Sequence, residues 1–127
     1  MPLHQTVPLL VVTDLAASRK FYCTGLGFTM TNSAEQHGEI FWCWLQSGNA
    51  AIMLQQECNE DPPGSTRGKG VTFYFLCDDA DAVCREITAR GVAASKPVVA
   101  DYGMNQTFVT DPDGYALCFE NQALQTP

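Results

Sequence analysis

The sequence predicts an α+β fold of two βαβββ modules, whose curved mixed sheets enclose a cleft. Three observations predict it. A short apolar run ending at a helix-capping aspartate occurs twice, as VPLLVV before Thr13-Asp14 and as VTFYFLC before Asp78-Asp79. Each is followed by a helical pattern and then by three strand-like runs. The capping aspartates lie about 65 residues apart, the kind of period a repeated supersecondary unit leaves. The chain is then a single domain, residues 1–127, with module one at about 5–56, a linker at 57–69 and module two at about 70–122. One helix covers only one face of a four-stranded sheet, so the other face must meet the second module or another subunit.

The elements follow in order. Val7–Val12 is the first strand. Asp14 caps a helix whose Leu15, Ser18, Phe21 and Tyr22 face inward, and Gly25 and Gly27 end it. Three strands follow: Phe28–Asn32, Ile40–Gln46 and Ala50–Gln56, the last two joined across Ser-Gly-Asn. Ser33–Glu39 reads as a loop, and Gln56–Gly70, polar and rich in Pro and Gly, as a mobile crossover. In the second module Val71–Cys77 is a strand, and Asp78 or Asp79 caps a helix. Ala80, Val83, Cys84 and Ile87 fall at helical spacing in that helix, and Gly91 stops it. Pro97–Asp101, Asn105–Thr110 and Tyr115–Glu120 complete the set. The last two meet at Asp-Pro-Asp-Gly, where Pro presets φ and Gly supplies the left-handed position.

Composition narrows the function classes. A net charge of −7, with no cluster of Lys and Arg, repels phosphate backbones and argues against nucleic acid as a partner. No apolar run approaches the roughly 20 residues that span a bilayer, and MPLHQT lacks the pattern of a signal peptide. The six cysteines sit singly, with no C-x-x-C, and read as reduced thiols in a cytoplasm.

VPLLVVTDLAASRKFYCTGLGF and TDPDGYALCFEN resemble the opening and the last hairpin of the vicinal oxygen chelate superfamily. That superfamily includes glyoxalase I, extradiol dioxygenases, thiol transferases that inactivate fosfomycin, and bleomycin-resistance proteins. The resemblance covers nearly the whole chain and implies the fold while leaving function open. Its enzymes hold a divalent metal with His, Glu or Gln near the strand centres. Carried over by motif, the four ligand positions fall at Val7, Met53, Val71 and Cys118, none of which is such a donor. His4 and His37 lie in a tail and a loop. The expectation is therefore no metal, no other cofactor and no assigned catalytic residue.

What remains is an apolar, aromatic-lined cleft with a few polar handles. Its expected ligand-binding residues are Trp42, Trp44, Met53, Gln55, Phe73, Phe75, Tyr102, Cys118 and Glu120. Each has a packing alternative: Phe73 and Phe75 as core, Cys118 as an inert buried thiol, Glu120 as a charge on an exposed strand face. Alternation puts Trp42 and Trp44 on one face without saying which. The sequence thus points to a metal-free binding protein of the bleomycin-resistance type, a homodimer that sequesters an aromatic or cationic compound, an antibiotic or an endogenous metabolite. The alternatives are a divergent lyase or dioxygenase, a metal-free catalyst using Glu120, Tyr102 or Cys118, and an interaction module whose cleft its own aromatics close.

Overall fold

A computed structural model describes residues 1–59, 61 and 66–123. Two compact units divide the chain, Met1–Arg67 and Gly68–Pro127. In the first, strand β1 (Leu9–Val12) leads to helix α1 (Leu15–Lys20), which passes into a π-helical turn, Phe21–Gly25. Strands β2 (Thr29–Gln36), β3 (Glu39–Ser47) and β4 (Ala50–Gln56) follow, and the sheet order is β1-β4-β3-β2. In the second unit β5 (Thr72–Leu76) leads to α2 (Ala80–Ala89), then β6 (Val98–Val99), β7 (Met104–Thr110) and β8 (Ala116–Gln122), in the order β5-β8-β7-β6. In each sheet the first strand pairs parallel with the last, and the other ladders are antiparallel. The βαβββ order holds twice.

Both aspartate caps form. Asp14 accepts the amide of Ala17, and Asp79, not Asp78, accepts those of Asp81 and Ala82. A second anchor ties each helix to its own sheet. Gln56, at the end of β4, accepts the Leu15 amide at 2.9 Å and donates to the Thr13 carbonyl at 2.6 Å. Asn121 in β8 accepts the Ala80 amide at 2.7 Å. These bonds identify the helix-covered face of each sheet as the one carrying Leu10, Val12, Cys43, Leu45, Ile52 and Leu54 in the first unit, and Thr107, Val109, Leu117 and Phe119 in the second. All ten are buried and form the two cores. The opposite face of each sheet, open in the sense that its own helix does not cover it, carries the candidate residues.

Several boundaries correct the sequence reading. Ser33–Glu39 is not a loop: β2 runs to Gln36, β3 starts at Glu39, and His37-Gly38 is a two-residue hairpin turn at φ 55° and 79°. The segment is polar along most of its length because its strand end has no buried face. Val7 and Val71 precede their strands, and the expected Pro97–Asp101 strand shrinks to Val98–Val99. The π-helical turn explains the irregular stripe of the first helix, since the widened turn leaves Leu15, Ser18 and Tyr22 buried and Phe21 only half-buried. The crossover at residues 60 and 62–65 lies outside the described residues. Beside it Arg67 and Glu57 form an ion pair at 3.1 Å. Among the described residues no helix is long and apolar enough to cross a membrane.

Candidate functional site

On the open face of the first unit the register gathers four of the expected residues. Met53 on β4 lies between Leu9 on β1 and Trp44 on β3, and Gln55 lies between Val11 and Trp42. This settles the tryptophans: both share the face of Met53 and Gln55, opposite α1. The indole Nε1 of Trp44 donates to Gln46 Oε1 at 2.7 Å, so its polar end is satisfied within its own strand. The face is mostly half-buried, and its polar groups are amides, Gln55 and Gln46, beside Leu9, Val11, Trp42, Trp44 and Met53.

The open face of the second unit is built on the same plan. Cys118 on β8 lies between Tyr74 on β5 and Phe108 on β7, and Glu120 lies between Leu76 and Gln106. Tyr102 reaches this face from the turn before β7, where the Ala100 amide bonds to the Met104 carbonyl and Gly103 adopts φ 89°. The residue is 66% exposed, while its hydroxyl closes a triangle with two buried groups. Gln106 Nε2 donates to Glu120 Oε1 at 2.9 Å and also to the Tyr102 hydroxyl, which in turn donates to Glu120 Oε1 at 3.4 Å. Loss of hydration at the hydroxyl, and then the charge of Glu120, raise the Tyr102 pKa above its usual value and keep it a donor.

Glu120 is 7% exposed, and no Lys, Arg or His among the described residues forms an ion pair with it. Both of its hydrogen bonds end on Oε1. Oε2 accepts none from the described residues, and it is not among the sealed, unpartnered side-chain atoms. The donors that hold Glu120 are neutral, so it has no ion-pair partner among the described residues. Around it Tyr74, Leu76, Val98, Tyr102 and Phe108 are exposed, and the register of β6 puts Val98 on the Gln106 side.

Not every expected residue comes here. Phe73 and Phe75 lie on the helix-covered face with Leu117 and Phe119, and the Phe75 and Phe119 rings stack at 5.4 Å. Because β5 begins at Thr72, alternation turns Thr72, Tyr74 and Leu76 toward the side of Cys118. The start of β5 therefore offers Thr72 rather than Val71 to the open face. Sequence reasoning missed Tyr74, Gln106 and Phe108. The signal was the Asp111 turn: Asp111 Oδ1 accepts the amides of Asp113 and Tyr115 and sets Thr110 opposite Ala116. Counting back from that pair puts Phe108 beside Cys118 and Gln106 beside Glu120.

The donor set does not fit a divalent ion. Val7 and Thr72 offer no imidazole or carboxylate, and Met53 only a thioether. Cys118 is fully buried, and burial, with the nearby Glu120 and Cys77, pushes its thiol up to about 11. It is a protonated thiol near neutrality and a poor nucleophile. Among the described residues no three His, Cys, Asp or Glu side chains are grouped to hold a metal. Grooves of about 500 and 480 Å³ do exist, one lined by Asp14, Arg19 and Glu35, the other by Asp79, Asn105 and Asn121, but both lie by the helix N-termini and away from the open faces.

With the doubled module in place, the family model of the glyoxalase/bleomycin resistance protein/dioxygenase superfamily matches residues 3–119. The chain belongs to this superfamily. It is 27% identical over 113 residues to the Escherichia coli protein YaeR, covering 85% of this chain and 88% of that one. It is 28% identical over 113 residues to the Mycobacterium tuberculosis protein named "Putative glyoxylase CFP32", but spans only 41% of that protein's length. The bleomycin-binding protein of Streptomyces verticillus, solved with copper(II)-bleomycin, superposes with a TM-score of 0.74 at 19% identity, covering 98% of this chain and 99% of that one. The last similarity concerns the superfamily fold alone.

Proposed function

We propose that this superfamily member is a metal-free binding protein that sequesters a small aromatic or cationic molecule, one per chain, as a cytoplasmic homodimer. The observation that carries the reading is Glu120: a buried carboxylate without a cationic partner among the described residues, on a sheet face that also carries Tyr74, Tyr102, Phe108, Cys118 and Leu76. Aromatic faces and a single charge are what hold a flat or cationic ligand, and neither needs a metal. The fold likeness to a protein that binds bleomycin supports the same class. The name of the mycobacterial relative favours a second reading, a glyoxalase-like lyase. The non-ligating residues at the family's metal positions speak against it.

The test is equilibrium titration of chelator-treated protein with aromatic amines and cationic glycopeptides, read by tryptophan fluorescence and calorimetry. The expected result is saturation at one molecule per chain, with the compound recovered unchanged. Conversion of methylglyoxal–thiol adducts or catechols, dependent on an added divalent metal, would replace binding by the lyase or dioxygenase reading. Light scattering on the same sample tests the homodimer.

A further inference from the structure

Resting on that reading, we propose that the ligand's cationic group carries N–H donors, as a primary or secondary ammonium, amidinium or guanidinium does, and seats them on Oε2 of Glu120. The argument starts from how the carboxylate is already used. Gln106 and Tyr102 each donate one hydrogen bond to Oε1, and Gln106 Nε2 also donates to the Tyr102 hydroxyl. They fix the carboxylate in one orientation and leave Oε2 as the acceptor without a donor. A carboxylate offers about four lone-pair sites, and those of Oε2, which is not sealed, are the ones an incoming donor can reach.

A quaternary ammonium would bring charge without a donor, and its methyl shell would hold the charge away from Oε2. Such cations are bound by cages of packed rings. Tyr74, Tyr102 and Phe108 share the open face, yet no ring contact joins any two of them, whereas Phe75 and Phe119 on the opposite face do stack. The face is an acceptor with an aromatic rim whose rings do not pack on one another. A charge-assisted N–H···O bond to Oε2 supplies the missing charge and the missing donor together. Tyr102 and Gln106 are then positioning residues: they act on the ligand through the carboxylate they orient.

The experiment uses a matched set of probes: 2-phenylethylammonium, benzylguanidinium, the N,N,N-trimethyl form of the first, and neutral 3-phenylpropanol. Binding is followed by amide chemical shifts of the full chain, in parallel with unmodified protein and Glu120→Gln, whose near-identical shape preserves the fold. The N–H cations should bind about tenfold or more tightly than the trimethyl form, with the largest shifts at Cys118, Glu120 and Tyr102. Glu120→Gln should erase that preference. Tighter or equal binding of the trimethyl form or the neutral alcohol on this face overturns the inference but leaves small-molecule binding intact. Shifts that are unchanged by Glu120→Gln also overturn it. If no probe moves any resonance of the face at millimolar concentration, both the inference and the proposed function fall.

Discussion

In the first unit Met53 lies between Leu9 and Trp44, and Gln55 between Val11 and Trp42. In the second, at the equivalent positions, Cys118 lies between Tyr74 and Phe108, and Glu120 between Leu76 and Gln106. The helix-covered faces match closely, down to the amide side chain, Gln56 or Asn121, that ties the helix to the last strand. The open faces diverge. In one unit the polar end of Trp44 is satisfied by Gln46 and no charge is present. In the other a carboxylate replaces the amide of Gln55, and an amide replaces the indole of Trp42. The repeat keeps what folds the module and varies what can meet a ligand, and the second open face carries a carboxylate where the first carries an amide.

The largest effects should fall where the units are alike. Leu54→Ala and Leu117→Ala each remove a fully buried side chain from a helix-covered face, and each should cost about 2–5 kcal/mol in denaturant unfolding. A loss below about 1 kcal/mol for either would mean that its core collapses onto the gap, and the likeness of the cores would be broken.

Next comes the divergent face. Gln106→Leu strips Glu120 Oε1 of its shorter hydrogen bond and should cost about 1–3 kcal/mol. The double variant Gln106→Leu/Glu120→Leu removes both partners together, and it should recover most of that loss. If the two losses simply add, the pair is not coupled and Gln106 does not serve the carboxylate.

Smaller still are the helix anchors. Gln56→Ala should cost about 1 kcal/mol and Asn121→Ala somewhat less, because Gln56 makes two bonds to the start of its helix and Asn121 one. The order of the two, measured by urea titration, reports whether the anchors are equivalent.

The fold was legible because its signals are local: Asp14, Asp79, Gly91 and the Asp111 turn each act within a few residues. The anchors were not, since Gln56 and Asn121 each reach a residue 41 positions away. The same contrast divides the site. Alternation along IFWCWLQ and AAIMLQQ pairs Trp42 with Trp44 and Met53 with Gln55, but only the β3–β4 register puts the two pairs on one face. VTFYFLC is apolar or aromatic on both faces, so its pattern cannot say which way Phe73 or Tyr74 points. Pairing with β8 decides it, and that pairing turns Phe73 and Phe75 toward α2. Thr29–Gln36 was cut short for the opposite reason: its later residues are mostly polar, and no periodicity marks them as a strand.

The smallest effect separates Cys118 from Met53, its uncharged equivalent. A thiol can ionise, so the second open face could in principle carry a nucleophile where the first cannot. Burial, Glu120 and Cys77 move the Cys118 pKa from 9.0 to about 11. A thiol whose pKa rises on folding favours the folded state while protonated. Its contribution is therefore complete below pH 9.0 and is lost as the pH climbs through about 11. Cys23, Cys43 and Cys77 shift in the same direction, so a stability profile alone would blend them. Site-resolved alkylation with iodoacetamide, read by mass spectrometry, keeps them apart. At neutral pH the exposed Cys58 should be labelled first and the fully buried Cys118 last. Toward pH 11 the Cys118 rate should still be rising where that of a small-peptide thiol has levelled off. Labelling of Cys118 at neutral pH as fast as Cys58 would show an open, reactive thiol, and would shift the reading of this face from binding toward covalent chemistry.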